Sequence, residues 1–80
     1  MRCILRRLGS GGDELQVTDE RGLERELRRL EGSCFVALCV QGIARMVGDD
    51  PEQVMECVRQ EALRGTRELE AILLPRVQGG

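Results

Sequence analysis

Two glycines at the end of the printed sequence, Gly79 and Gly80, are the residues best suited to chemistry. Because glycine has no Cβ, an enzyme's active site can close tightly around the backbone of such a segment. A terminal carboxylate that reaches the active site in this way can be activated as an acyl-adenylate, which a sulfur or amine nucleophile then attacks. We expect Gly80 to carry this chemistry and Gly79 to allow access to it, within a flexible tail formed by residues 75–80.

Catalytic groups of other kinds are scarce. The sequence contains no histidine, which excludes a histidine-based triad or acid–base pair. The acidic residues Asp49, Asp50 and Glu52 stand where a helix can begin, and helix capping explains them. The glycines of residues 9–12 lack the strand–GxxxxGK–helix context of a phosphate-binding loop. We therefore predict that the protein is not an enzyme and uses no cofactor.

Four cysteines are a further possible source of chemistry: Cys3, Cys34, Cys39 and Cys57. They form no C-x-x-C pair, so a zinc site would need thiolates from four scattered positions. Two disulfides would need an oxidising compartment, and the opening apolar segment is too short for a secretory signal. We predict a cytoplasmic protein without a metal site, whose cysteines pack as small core hydrophobes. A reactive thiol at Cys57 is the alternative if that helix face is exposed.

Length and composition narrow the classes of partner. Eighty residues suffice for one domain, and 41% hydrophobic with 32% charged residues is typical of a folded chain. Twelve basic against fourteen acidic residues argue against nucleic-acid binding, as does an aromatic content of one residue, Phe35. No apolar stretch approaches the length of a membrane span. These features favour a protein partner.

Hydrophobic periodicity predicts seven elements. Residues 1–8 and 14–18 alternate as a β-hairpin, and Thr18 or Asp19 can cap a helix that Gly32 ends. The unbroken apolar run 34–40 predicts a strand buried on both faces, and residues 43–47 a shorter strand nearer an edge.

A second helix should begin after Asp50, with Pro51 at its first position, and end near Gly65. Residues 68–74 then form the last strand, also buried on both faces. The predicted fold is a small α+β domain over residues 1–74. It has a mixed sheet of about five strands covered by two helices, in the order β-β-α-β-β-α-β.

The end of the sequence resembles the small ubiquitin-like sulfur-carrier proteins of molybdopterin, thiamine and related pathways. Those proteins end in a buried strand and a Pro-x-Val-x-Gly-Gly-type tail, and this chain has ELEAILL followed by Pro75-Arg76-Val77-Gln78-Gly79-Gly80. Its opening strand MRCILRRL, the following helix and the segment FVALCVQGIARMV resemble the β-grasp fold of that family. The resemblance implies that an E1-like adenylating enzyme activates Gly80, which becomes a thiocarboxylate. Arg76 and Val77 would help to dock this partner.

The chain departs from the family pattern in three places. Gln41-Gly42 stands where Asn-Gly is usual, a full helix near 51–63 replaces a short loop, and Arg76 replaces a second proline. Residues 33–74 also resemble small prokaryotic domains that have no assigned chemistry. The alternative function is therefore a non-catalytic protein–protein interaction module or inhibitor.

Overall fold

The computed structural model describes residues 1–9 and 12–76. Its elements follow the predicted order, and most boundaries lie within two residues of those expected. They are β1 (Arg2–Gly9), β2 (Gly12–Thr18), α1 (Glu20–Arg29), β3 (Cys34–Val40), β4 (Ile43–Gly48), α2 (Pro51–Leu63) and β5 (Glu68–Pro75). The predicted turn at residues 9–12 includes Ser10 and Gly11, which lie outside the described residues. Within the described ranges, neither helix is long and apolar enough to cross a membrane.

Both helices begin at the acidic residues that the sequence indicated. The Asp19 side chain accepts a hydrogen bond from the backbone N–H of Gly22 at 2.8 Å, which selects Asp19 over Thr18 as the cap of α1. The Asp50 side chain accepts from the N–H of Glu52 at 3.0 Å, and Pro51 opens α2. Each carboxylate satisfies an N–H group that has no partner within its helix.

The five strands form one sheet in the order β2-β1-β5-β3-β4. β5 lies at the centre, parallel to β1 and antiparallel to β3, and the two outer pairs are antiparallel. β4 is an edge strand, as predicted, and its pairing with β3 shifts register between Leu38 and Cys39. The first and last strands of the chain are therefore neighbours in the middle of the sheet.

The core lies between one face of this sheet and the two helices. Alternate residues of the three inner strands point into it, together with one stripe from each helix. Its members are Cys3, Leu5, Leu23, Leu27, Val36, Leu38, Val40, Val54, Met55, Val58, Leu69, Ala71 and Leu73. With almost no aromatic residues, the core consists of aliphatic side chains, one methionine and one cysteine.

The expectation that β3 and β5 are buried on both faces is wrong. In β3, Val36 and Leu38 are buried, but Phe35, which directly precedes Val36, is 38% exposed. In β5, Leu73 is buried while its neighbours Ile72 and Leu74 are only half-buried. Both helices pack on the same side, so the second face carries apolar residues that no described helix covers.

Truncation of the core should therefore cost far more than truncation of the surface. We expect Leu38→Ala to lower the free energy of unfolding by about 2–5 kcal/mol, because it leaves a cavity between the sheet and the helices. The matched control is Leu63→Ala on α2, whose side chain is 81% exposed and whose loss should cost little. Urea unfolding followed by circular dichroism measures both, and equal losses would contradict this core.

Candidate functional site

The sequence directs attention to the end of β5, where the predicted tail begins. Pro75, the last residue of β5, pairs with Cys34 at the start of β3. β4 ends nearby at Gly48, and α2 begins after Asp50. The segment after Pro75 therefore leaves the sheet from its centre, next to the turn that joins β4 to α2.

Arg76 is held at this point by three contacts with its own chain. Its guanidinium carbon lies 4.8 Å from the centroid of the Phe35 ring, within the range of a cation–π interaction. The same guanidinium forms an ion pair with the carboxylate of Asp49. The backbone N–H of Arg76 donates to the carbonyl of Ser33 at 3.2 Å. These contacts come from two separate segments and fix where the following residues emerge.

The structure thus brings together one predicted site residue and two that the sequence analysis did not assign to the site. Phe35 was notable only as the single aromatic residue, and Asp49 only as part of a helix start. Asp50, not Asp49, caps α2, which leaves the Asp49 carboxylate to pair with Arg76. No local pattern connects residues so far apart in sequence. Docking of a partner by Arg76 stays a prediction.

The other predicted site residues, Val77, Gly79 and Gly80, lie outside the described residues.

The prediction that all four cysteines pack as core hydrophobes is confirmed for Cys3, whereas Cys57 packs against the core and Cys34 and Cys39 lie outside it. Cys3 is fully buried, and desolvation, followed by the nearby charge of Glu20, raises the pKa of its thiol to about 11. Desolvation and the Glu61 carboxylate raise the pKa of Cys57 above its ordinary value. Cys34 and Cys39 are half-buried, and all four are free thiols. In the part of the chain that is described, no three potential metal ligands lie together.

A buried carboxylate, Glu61, was not singled out from the sequence. It is 4% exposed and accepts a hydrogen bond from the Thr66 hydroxyl at 3.0 Å. Guanidinium nitrogens of Arg64 and Arg45 lie 3.5 Å and 4.0 Å from its oxygens. With these partners Glu61 joins the end of α2 to β4 and to the loop before β5, which is a structural role.

The second notable surface is the sheet face opposite the helices, which we call the open face. Its apolar members are Ile4, Leu8, Leu15, Val17, Phe35, Ala37, Val47, Ile72 and Leu74. Leu15 and Val47 are each 62% exposed and Val17 is 55% exposed. The ion pairs of Arg2 with Glu68 and of Arg6 with Glu70 lie on the same face and interrupt these apolar side chains.

Comparison with known proteins identified no relative of this chain. No family model matches the sequence, and neither a curated protein nor a solved structure is similar to it.

The raised pKa of Cys3 predicts slow and strongly pH-dependent alkylation. At pH 8 roughly one Cys3 thiol in a thousand should be ionised, and its fraction of thiolate should rise about tenfold per pH unit until near pH 11. The unfolded chain loses the thiol proton of Cys3 at a lower pH than the folded chain does. The contribution of the protonated thiol to the free energy of unfolding is therefore present below pH 9 and is lost as pH rises towards 11. Iodoacetamide labelling with peptide mass mapping measures the rate. The urea-unfolded chain is the control, and equal rates at Cys3 in both states would contradict its burial.

Arg76 should contribute measurably to stability through its side chain. We expect Arg76→Ala to lower the free energy of unfolding by about 1 kcal/mol, the sum of an exposed cation–π contact and a surface ion pair. Arg76→Lys keeps the charge but loses the planar stacking on Phe35, so it should lose about half as much. Arg25→Ala on the exposed side of α1 is the control. A double-mutant cycle with Phe35→Leu tests the stacking, and additive losses would show that the two side chains do not interact.

Proposed function

We propose that this protein is a ubiquitin-like sulfur carrier of β-grasp fold, activated at Gly80 by an E1-like adenylating enzyme. The observation that carries the proposal is the path of β5. This central strand lies parallel to β1 and ends at Pro75, so the Gly-Gly segment follows the middle of the sheet after only a few residues. The strand order β2-β1-β5-β3-β4 places the first and last strands side by side and supports the same proposal.

The chemistry proposed for this chain is limited to its carboxylate. The Gly80 carboxylate attacks the α-phosphate of ATP on the activating enzyme, and pyrophosphate leaves. A sulfide nucleophile then attacks the acyl carbon and displaces AMP, which leaves a thiocarboxylate on Gly80. The enzyme supplies the nucleotide site and the sulfur, and this chain supplies a narrow segment that can enter the site. Gly79 serves that entry because it has no side chain.

The basic residues of the chain favour a sulfur carrier over a modifier that forms chains of itself. All twelve are arginines, and the sequence contains no lysine. An activated carboxylate therefore meets no lysine amine on a second copy of these eighty residues. Sulfide, or an amine that is not a lysine of this chain, is the acceptor that this composition leaves.

The anchoring of Arg76 supports the proposal from the folded side. Its contacts with Phe35, Asp49 and the Ser33 carbonyl hold the base of the tail at one end of the sheet. An activating enzyme that binds the folded domain would then find the tail leaving from a defined place. This reduces the conformational entropy that binding must remove.

A second candidate function, a protein–protein interaction module without chemistry of its own, is favoured by the open face. Its exposed leucine and valines lie on the face of the sheet that no described element covers. This function would need the surface of the sheet and not the Gly-Gly segment, so the two candidates predict different sensitive residues.

Intact-mass measurement of the protein from its native host tests the carrier function directly. We expect a species in which one sulfur replaces one oxygen, located at Gly80 by fragmentation. Deletion of Gly80 should abolish that species and the dependent pathway while leaving the unfolding curve unchanged. Leu63→Ala, distant from the tail, should retain both.

Three results would count against the carrier. One is a native chain that continues uncleaved beyond Gly80. Another is the free acid alone in a host with a working pathway. The third is full function after deletion of Gly80. If function is instead lost when open-face residues are substituted, the interaction module is favoured.

A further inference from the structure

The single aromatic residue of the chain, Phe35, is not a member of the core. An aromatic side chain buries a large apolar area and usually contributes strongly to the packing of a core. Phe35 instead lies on the open face, 38% exposed, and the Arg76 guanidinium carbon is 4.8 Å from the centroid of its ring. The residue best able to stack on a guanidinium is therefore used at the end of β5 and not in the core.

The carboxylate of Asp49 serves the same guanidinium. Asp50 caps α2 by accepting from the N–H of Glu52, so the helix does not need the Asp49 side chain. Asp49 forms its ion pair with Arg76 and with no other residue of the described ranges. Phe35 and Asp49 thus form a binding place for one guanidinium, which we call the arginine seat.

The arginine seat acts together with a backbone contact. The N–H of Arg76 donates to the carbonyl of Ser33 at 3.2 Å, so both the main chain and the side chain of Arg76 are held. The planar face and the charge of this guanidinium are already engaged within the chain, which leaves little of either for another protein. Arg76 can therefore influence a partner mainly through the place at which it holds the chain.

We propose that Phe35 and Asp49 are positioning residues for the activation of Gly80 and that they act through Arg76. The inference rests on the proposed carrier function. A seated Arg76 has lost conformational freedom before the activating enzyme binds, so binding has less to order. Ordering one further long side chain weakens binding by about three- to tenfold, and this is the loss expected when the seat is removed. The seat changes the affinity and leaves the chemical step unchanged, because it acts on the segment before the carboxylate.

Limited proteolysis of the purified chain measures the seat without the activating enzyme. Trypsin must take the Arg76 guanidinium into its own specificity pocket, so it cleaves only the fraction of molecules in which Arg76 has left the seat. We expect Asp49→Asn, and separately Phe35→Leu, to speed the release of residues 77–80 by about threefold, followed by intact mass against time. Glu52→Gln is the matched control, because it removes an exposed carboxylate of the first turn of α2. Release at one rate from both variants and the unaltered chain overturns the proposal.

Conversion in the native host measures the effect on activation. The unaltered chain and Asp49→Asn are produced separately at the same low level, and intact mass gives the fraction of each that carries a thiocarboxylate. We expect this fraction to fall about three- to tenfold in Asp49→Asn and to recover when the variant is overproduced, as a loss of affinity requires. Asp49→Glu, which keeps the carboxylate, should retain most of the conversion, and Glu52→Gln should retain all of it.

Failure of the carrier function and failure of the positioning role give different results. An unaltered chain that never carries a thiocarboxylate overturns the carrier function and the role in activation with it. Equal conversion of the unaltered chain and Asp49→Asn at low production overturns the positioning role alone. A loss in Asp49→Asn that overproduction does not restore also overturns it, because the substitution then acts on folding or on the chemical step.

Discussion

The pairing of β5 on both sides is the constraint on which the rest of this structure depends. β5 bonds to β1 on one side and to β3 on the other, so it joins the amino-terminal hairpin to the second hairpin. Without it the two hairpins have no common sheet. Because β4 and β5 are both antiparallel to β3, they run in the same direction, so the chain must cross over between them, and α2 makes that crossing. α2 thus returns the chain from the edge strand β4 to the middle of the sheet.

A consequence of this topology is that the two faces of the sheet differ. Both connections that contain helices pass over the same face, and their apolar stripes close one core there. Leu23 and Leu27 from α1 meet Val54 and Val58 from α2 above the inner strands. Over the described residues, neither helix lies on the opposite face, although alternate residues of the same strands are apolar. Its apolar residues therefore stay available to water or to another protein.

The central position of β5 also determines what surrounds the base of the tail. Strands at the edge of a sheet have one neighbour, whereas β5 pairs with β1 as far as Leu73 and with β3 as far as Pro75. The start of β3 contributes Phe35 and the preceding Ser33 carbonyl, and the end of β4 leads to Asp49. Arg76 is fixed by groups from both. A terminal segment that must reach an enzyme's active site thus follows a residue anchored to the domain, and that arrangement suits the proposed carrier.

Patterns among neighbouring residues were sufficient to predict the helices and strands. Some features depend only on neighbouring residues and could therefore be predicted from the sequence. They are the caps Asp19 and Asp50, Pro51 at the first helical turn, and the hydrophobic periods of helix and strand. Only the tertiary structure decided which faces are covered, because the apolar runs of β3 and β5 are compatible with burial on one face or on both. It also decided that Asp49 meets Arg76 over Phe35, since contacts between distant segments follow from strand order and register, which leave no local signal in the sequence.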